Sequence, residues 1–445
     1  MSVGSLLSRQ SHVIARTHRF DAQILVIPNF CPDWHGSIVP LHSAMSGIMR
    51  ILSVFGTRPE AIKMAPLVKA MQRNAAMQSI VCVTGQHRQM LDQVLRLFDI
   101  VPDYDLGLMT QDQTLNALAG RALMALDDVL DKVKPDRVLV HGDTTTAMAA
   151  AIAAFHRRIP IGHVEAGLRT RDLSRPWPEE MNRRVVDVVS DLLFAPTSGA
   201  KANLTAERLG GRIVVTGNTV IDALLTTAAR IKDDPGLQAQ LAAQFSYLEA
   251  DRKILLVTGH RRESFGAGFN KICVALRRLS GRPDIEMVYP VHLNPNVRGP
   301  VLGTLSGRPN IHLVEPLEYV PFVYLMQRAH VVLTDSGGVQ EEAPSLGKPV
   351  LVMRGVTERP EAVEAGTVHL VGTDPSLIIT AVNKLFNDDD AYHRFARRLN
   401  PYGDGAASDR IVAALTGGAV HEFTNQTASS DISPDRIGSE HVTVA

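Results

Sequence analysis

The chain has 445 residues, 45% of them hydrophobic and 21% charged, close to a globular average and too apolar for a chain that stays unfolded. Lysine plus arginine number 46 and aspartate plus glutamate 46, so the formal net charge is zero. That balance argues against bulk-charge binding to nucleic acid or to an anionic membrane, while leaving a compact polyanionic ligand open. No apolar run approaches the roughly 18 residues that span a bilayer, and the first 30 residues lack a basic start followed by an apolar core. The three cysteines, Cys31, Cys82 and Cys273, are widely spaced, and only Cys31 has a close histidine, His35, so neither a zinc site nor a disulfide framework is written there. No membrane insertion, no metal and a reducing, cytoplasmic compartment are expected. At roughly 100–200 residues per domain the length predicts two or three domains.

In chain order, residues 1–46 hold seven Ser, four His, three Pro and two acids, with one apolar burst at Gln23–Pro28. A poorly ordered extension over 1–48 is expected. Two other readings stand beside it, a start placed ahead of Met45 or Met49 and an organelle transit peptide. Apolar runs of four to six residues then begin at or near Ile51, Ile80, Val138, Ile213, Ile254, Ile285, Ile311, Val331 and Val350. Most are followed by Gly, Ser, Thr or Asp and an amphipathic stretch, the pattern of parallel βαβ units and hence of an α/β, doubly wound fold. With fainter runs such as Leu192–Ala195 the strand number reaches the ~10 that one sheet tolerates, so two sheets are expected. They would be Rossmann-like domains over 49–217 and 218–402, with the junction near Asn218. The pattern at Asp409–Leu415 predicts a helix, within 403–418, that returns to the first domain. The polar segment 419–445 is expected to be a disordered tail.

In open parallel sheets ligands bind beyond the carboxyl ends of the strands. The first such end reads Gly56-Thr57-Arg58-Pro59-Glu60-Ala61-Ile62-Lys63, where Pro59 suits a first helical turn and Arg58 and Lys63 add cations; a capped helix with a solvated charged face reads the same. His141-Gly142-Asp143-Thr144 offers Asp143 either as a helix cap or as a reactive acid. Glu165 lies at another strand end, in His163-Val164-Glu165-Ala166-Gly167, and Glu179 and Glu180 open a further helix. Carboxylates converging on one rim shift one another's pKa, which prepares general acids and bases; one of Glu179 and Glu180 is expected to be an ordinary first-turn acid.

Further along, Thr258-Gly259-His260-Arg261-Arg262 is rich in donors for charged oxygens, and Val291-His292-Leu293-Asn294 is similar but less charged. Thr334-Asp335-Ser336-Gly337-Gly338 at a strand-to-helix junction lets backbone N–H groups approach phosphate, and Glu342, a turn on, can reach ribose hydroxyls. Walker, G-x-G-x-x-G, H-E-x-x-H and G-x-S-x-G motifs are all missing, which disfavours NTPase, dehydrogenase, metalloprotease and serine hydrolase. The remaining layout suits a nucleotide-linked sugar, with its diphosphate by the second domain and its ring by the acids.

Together these motifs closely resemble the non-hydrolysing bacterial UDP-N-acetylglucosamine 2-epimerases. The resemblance is carried by FGTRPEAIKMAPL from Phe55, TGQHRQMLDQVL from Thr84, HGDTTT from His141, HVEAGLRT from His163, PWPEEMNR from Pro176, TGNTVIDAL from Thr216, TGHRRESFG from Thr258, PVHLNPNV from Pro290 and TDSGGVQEEAPSLGKPVLVMR from Thr334. It runs from about Met49 to Leu415. It implies a glycosyltransferase-B-like pair of Rossmann-type domains with an interdomain cleft, usually a homodimer, interconverting UDP-GlcNAc and UDP-ManNAc with no cofactor. The implied reaction eliminates UDP to a bound 2-acetamidoglucal and adds it back, supplying ManNAc-type sugars for cell-surface polysaccharide. Asp143, Glu165 and Glu179 match the family's catalytic carboxylates and His260 its active-site histidine. Arg58, Lys63, Phe322, Ser336, Gly337, Gly338, Glu342 and Arg359 match substrate-binding positions. Gln86, Gln89 and His292 match the site where some members hold a second UDP-GlcNAc as activator. Two departures stand out: Leu317 replaces a polar residue of the uracil-side loop, and Thr110–Thr114 lacks an Arg found in activator-binding members. A 2-epimerase for a UDP-diacetamido uronic acid, or a glycosyltransferase-B-like sugar-nucleotide-binding protein, are the alternatives, since fold does not fix function.

Overall fold

The computed structural model describes residues 47–85, 88–110, 113–357, 359–396 and 399–424, with the side chains of residues 88 and 89 outside that description; the extension up to residue 46 and the tail beyond residue 424 lie outside it too. The first half runs β1 (Met49–Phe55), α1 (Arg58–Gln72), β2 (Met77–Val83), α2 (Arg88–Leu97), β3 (Tyr104–Asp105), α3 (Leu115–Val133), β4 (Arg137–His141), α4 (Thr145–His156), β5 (Ile161–Val164), α5 (Glu179–Val189), β6 (Leu192–Ala195), α6 (Ser198–Ala206) and β7 (Arg212–Val215). Then follow α7 (Thr219–Asp233), α8 (Pro235–Gln244), β8 (Lys253–Thr258), α9 (Ala267–Leu279), β9 (Ile285–Pro290), α10 (Pro295–Leu305), β10 (Ile311–Val314), α11 (Tyr319–Arg328), β11 (Ala329–Thr334), α12 (Gly337–Glu342), β12 (Val350–Val352), α13 (Pro360–Glu364), β13 (Val368–Leu370), α14 (Pro375–Asn387), α15 (Asp389–Ala396) and α16 (Ala407–Leu415).

Among the described residues the strands form two sheets, one ordered β3-β2-β1-β4-β5-β6-β7 and one ordered β10-β9-β8-β11-β12-β13. Every pairing is parallel. This is the expected α/β, doubly wound architecture with two Rossmann-like sheets. Its cause is visible in β1 and β8, where Ile51, Leu52, Val54 and Phe55, and then Ile254 to Val257, are buried on both faces, as strands between two helical layers must be. Six buried alanines along α4 let it pack tightly between α3 and α5. In each sheet the strand order reverses at one place, between β1 and β4 and between β8 and β11, the kind of place where open parallel sheets bind ligands. β3 and β13, two and three residues long, are too short to show a period in sequence. No helix among the described residues is long and apolar enough to cross a membrane.

The chain leaves the first sheet at Asn218, which caps α7, and α7 packs on α1 as well as on α11 and α12. Near the end α16 returns to α1 and α7. Its start has no cap of its own; instead the buried carboxylate of Asp222 in α7 accepts from Ser408 N at 2.7 Å and Ala407 N at 3.2 Å. Residues 419–424, assigned by composition to the tail, are tied down: Phe423 N donates to Val215 O at 2.8 Å, Lys201 pairs with Glu422 at 2.8 Å, and Arg410 lies over the Phe423 ring.

Replacing Asp222 by Ala strips two orphan helix N–H groups of a charged acceptor, so the expected loss of stability is about 1–3 kcal/mol. Urea denaturation of D222A and D222N checks this, with the amide variant expected to lose less.

Candidate active site

At the first switch point the turn after β1 is closed by buried polar groups. A Cβ on Gly56 would meet Thr84 Oγ1 at 2.0 Å, so only glycine lets the chain leave β1 this close to β2. Glu60 completes a capping box, accepting from Gly56 N at 3.1 Å and Thr57 N at 2.8 Å, while Thr144 Oγ1 donates to its other oxygen at 2.7 Å. Glu60 thus staples the turn carrying Arg58 to the turn carrying Asp143. Burial pushes its carboxyl above the usual range against those hydrogen bonds.

Glu165 follows β5 with φ +70°, a left-handed conformation unusual for a side-chain-bearing residue and the kind of strain that collects at functional sites. Its Oε1 pairs with Lys63 Nζ and accepts from Asn218 Nδ2 at 2.8 Å; its Oε2 lies 3.7 Å from His141 Nε2. Burial alone would raise the Glu165 carboxyl, but Lys63 overcomes it and holds the group ionised. Burial likewise disfavours charged Lys63, and Glu165 and Glu341 reverse the sign. Asp143 goes the other way: burial raises it, Arg183 opposes, and Glu165 adds to the rise. His141, buried and with no hydrogen bond to either ring nitrogen among the described residues, is driven down to about 3 by burial and stays neutral.

The two acids opening α5 have separated roles. Glu180, fully buried, accepts from Thr170 N and Arg171 N at 3.1 and 3.2 Å and so shapes the preceding loop. Glu179 keeps a buried Oε2 with no partner among the described residues. One turn on, Arg183 pairs with Asp143 and Asn182 Nδ2 donates to Asp143 O at 2.9 Å. Behind this rim the ring of His163 bridges Asp187 Oδ1 at 2.6 Å and Gly142 O at 2.8 Å, and Arg169 reaches the other Asp187 oxygen.

At the second switch point Asp335, wholly buried, accepts from His260 N and Arg261 N, both at 2.8 Å, and so fixes the turn after β8 to the turn after β11. His260 is half-exposed, its ring stacked on that of His292 with centroids 5.4 Å apart. Burial lowers its pKa, with Arg261 and His292 adding to the fall and Asp335 opposing. Where Ser336 leads into Gly337 and Gly338, a Cβ on Gly337 would lie 3.7 Å from an Arg359 nitrogen and 3.8 Å from an Arg261 nitrogen. Two guanidinium groups therefore flank that turn. Arg359 pairs with Glu341, and Tyr319 donates to Glu342 Oε1 at 2.9 Å.

Of the residues singled out in sequence, Asp143, Glu165, Glu342 and Arg359 all interact electrostatically with Lys63, and Arg58 joins them through Glu342. His260, His292, Ser336, Gly337 and Gly338 form the second rim. Phe322, half-buried, lies in the first turn of α11 beside Tyr319. Gln86 and the Gln89 side chain lie outside the described residues. Leu317 packs on the core and lines a separate cavity of about 640 Å³ with Phe245 and Tyr247. Asn218, Glu341, His163, Asp187 and Asp335 have no role assigned from sequence, because each acts through a partner distant in the chain.

Burial pushes Glu342 up to about 7, with Glu341 adding to it and Tyr319 opposing. A carboxyl raised on folding stabilises fully below its unfolded value and loses that contribution as pH rises through the folded one. Relative to Glu342→Gln, the unliganded protein should therefore lose stability between about pH 4.5 and 7, by about 3 kcal/mol at most. Thermal melts at pH 5 and 8 check this: the Tm of E342Q minus that of wild type should increase with pH.

The sequence profile of the family described as UDP-N-acetylglucosamine 2-epimerase matches residues 69–416. The UDP-N-acetylglucosamine 2-epimerase of Escherichia coli strain K12 is 55% identical over 369 residues, covering 82% of this chain and 98% of that protein. Its Yersinia pestis counterpart is 57% identical with the same coverage. Among solved structures, the UDP-GlcNAc 2-epimerase from Neisseria meningitidis bound to UDP-GlcNAc superposes with a TM-score of 0.78 at 50% identity, covering 83% of this chain and 100% of that one. The Methanocaldococcus jannaschii enzyme in complex with UDP-GlcNAc and UDP gives 0.69 at 33% identity, with the same coverage. With its two switch-point rims and this breadth of likeness, the chain belongs to the UDP-N-acetylglucosamine 2-epimerase family.

Proposed function

We propose that the protein is a non-hydrolysing isomerase that interconverts UDP-GlcNAc and UDP-ManNAc at the crevice between the two sheets. The observation that carries this reading is the sorting of charge: Asp143, Glu165 and Glu179 on the first rim, and Arg261 and Arg359 flanking the Ser336–Gly338 turn on the second. Relatives solved with UDP-GlcNAc and with UDP support the ligand class. In the forward direction a carboxylate takes the proton from sugar carbon 2, and that C–H electron pair becomes the C1–C2 double bond. The C1–O bond breaks with its electrons going to UDP, and a bound 2-acetamidoglucal is left. UDP re-adds at carbon 1 while a proton is delivered to the opposite face of carbon 2. The chemistry needs one group poised to hold a proton and another poised to lack one, and opposite pKa shifts at Asp143 and Glu165 are such a division. Arg58, Lys63, Arg359 and His260 would stabilise the departing diphosphate, Glu342 the ribose, and Phe322 the uracil side.

The reading extends to a cytoplasmic homodimer that supplies ManNAc-type sugars for cell-surface polysaccharide, with an activating UDP-GlcNAc near His292, Gln86 and Gln89. The stacking of His292 on His260 supports a second ligand beside the first.

Purified protein given UDP-GlcNAc in deuterium oxide, with nothing else added, should yield UDP-ManNAc carrying deuterium at sugar carbon 2. Unlabelled product would defeat elimination and re-addition, and free ManNAc with UDP would indicate hydrolysis instead. In Glu165→Gln, turnover should fall about 100-fold or more while UDP affinity, read by calorimetry, stays within about threefold.

A further inference from the structure

Glu341 and Asn218 have no part in the roles assigned above, yet they sit on the line that joins the two rims. Asn218 is 3% exposed and Glu341 1% exposed. The Asn218 amide nitrogen donates to Glu165 Oε1 at 2.8 Å and to Glu341 Oε2 at 3.0 Å. Lys63 closes one end of the chain on Glu165 and Arg359 closes the other on Glu341. Two buried carboxylates from opposite sheets, each with a cation behind it, are thus held by the two protons of one amide.

The orientation of that amide is over-determined. Asn218 Oδ1 accepts from Val220 N at 3.1 Å as the cap of α7, and Asn218 N donates to Tyr402 O at 2.7 Å. A flipped amide would lose the cap and turn a carbonyl oxygen toward two anions, so only the nitrogen can face them. Glu165 Oε1 is taken up by Lys63 and Asn218, while Oε2 makes no hydrogen bond among the described residues. One oxygen anchors the group and the other faces His141 Nε2 at 3.7 Å.

We propose that Asn218 is a positioning residue that sets the catalytic orientation of Glu165 and ties it to Glu341 and Arg359 across the interdomain crevice. This rests on the epimerase reading, in which Glu165 takes part in proton transfer. Asn, Asp and Ser cap helices about equally well, so Asn218→Asp and Asn218→Ser both keep α7 capped. Ser retains a single donor, and Asp replaces both donors with a third carboxylate.

The experiment measures kcat, KM for UDP-GlcNAc and Tm for the full chain and both variants. Loss of a buried hydrogen bond to a charged group predicts a kcat lower by about 10-fold in N218S and about 100-fold or more in N218D, with KM within about threefold, and with Tm within a few degrees in N218S but lower in N218D, where a third carboxylate is buried. Wild-type kcat in N218D would mean that Asn218 is only a helix cap, and the proposal would fall. If N218D does not fold, N218S decides: a soluble N218S with wild-type kcat overturns the proposal, as does insolubility of both variants, which would assign a purely structural role. Should the wild type show no epimerisation, the functional reading fails on its own. The positioning claim is then read from hydrogen exchange of residues 163–167 without ligand, expected to speed up in N218D and contradicting the proposal if unchanged.

Discussion

A carboxylate taken out of water must be paired or it will take up a proton, and the whole crevice is built around that constraint at Glu165. Its side chain is only 9% exposed, and Lys63 and Asn218 both converge on a single oxygen to keep it an anion. Lys63 comes from α1, Asn218 from the chain between the sheets, and Glu341 and Arg359 from the second half, so residues of both halves converge on the surroundings of one carboxylate. The left-handed backbone of Glu165 has the same logic: residues on several elements hold it where an isolated strand end would not.

Acids in this protein divide into those that hold loops and those with unfilled capacity. Glu60, Glu180, Asp187 and Asp335 each accept from backbone N–H groups, a histidine or an arginine and are nearly or wholly buried. They fix the turns beyond β1, β5 and β8, and of the four only Asp335 keeps an oxygen, Oδ1, with no hydrogen bond among the described residues. Glu179 Oε2 and both nitrogens of His141 are buried without a hydrogen bond among the described residues, and Asp143 has an arginine partner and a raised pKa. Unsatisfied polar groups at the end of a parallel sheet are costly in a resting structure and useful in a site, because a ligand can complete them.

The two-sheet fold was legible because its strands are buried on both faces and read as continuous apolar runs; β1, β4, β8 and β11, which frame both switch points, begin within two residues of the runs read in sequence. The candidate acids were legible because they follow those runs directly. What the sequence hid was pairing. Asn218 and Glu341 are 123 residues apart, Asn218 and Glu165 53, and His163 and Asp187 24, and no local pattern encodes a bond of that length. The pair Glu179-Glu180 shows the same limit: both read as first-turn acids, and only the loop folded over Glu180 separates a structural acid from one with spare capacity. The expected tail boundary slipped for a related reason, since the pairing of Phe423 with Val215 depends on an edge strand 208 residues earlier.

The most direct test is a crystal structure of this protein with UDP-GlcNAc bound. The account predicts the diphosphate at the Ser336–Gly338 turn between Arg261 and Arg359, and sugar carbon 2 facing Asp143 or Glu165 at a near-attack distance of about 3–3.5 Å. A sugar ring turned away from those carboxylates, or a diphosphate bound in the separate cavity beside Leu317, would contradict it.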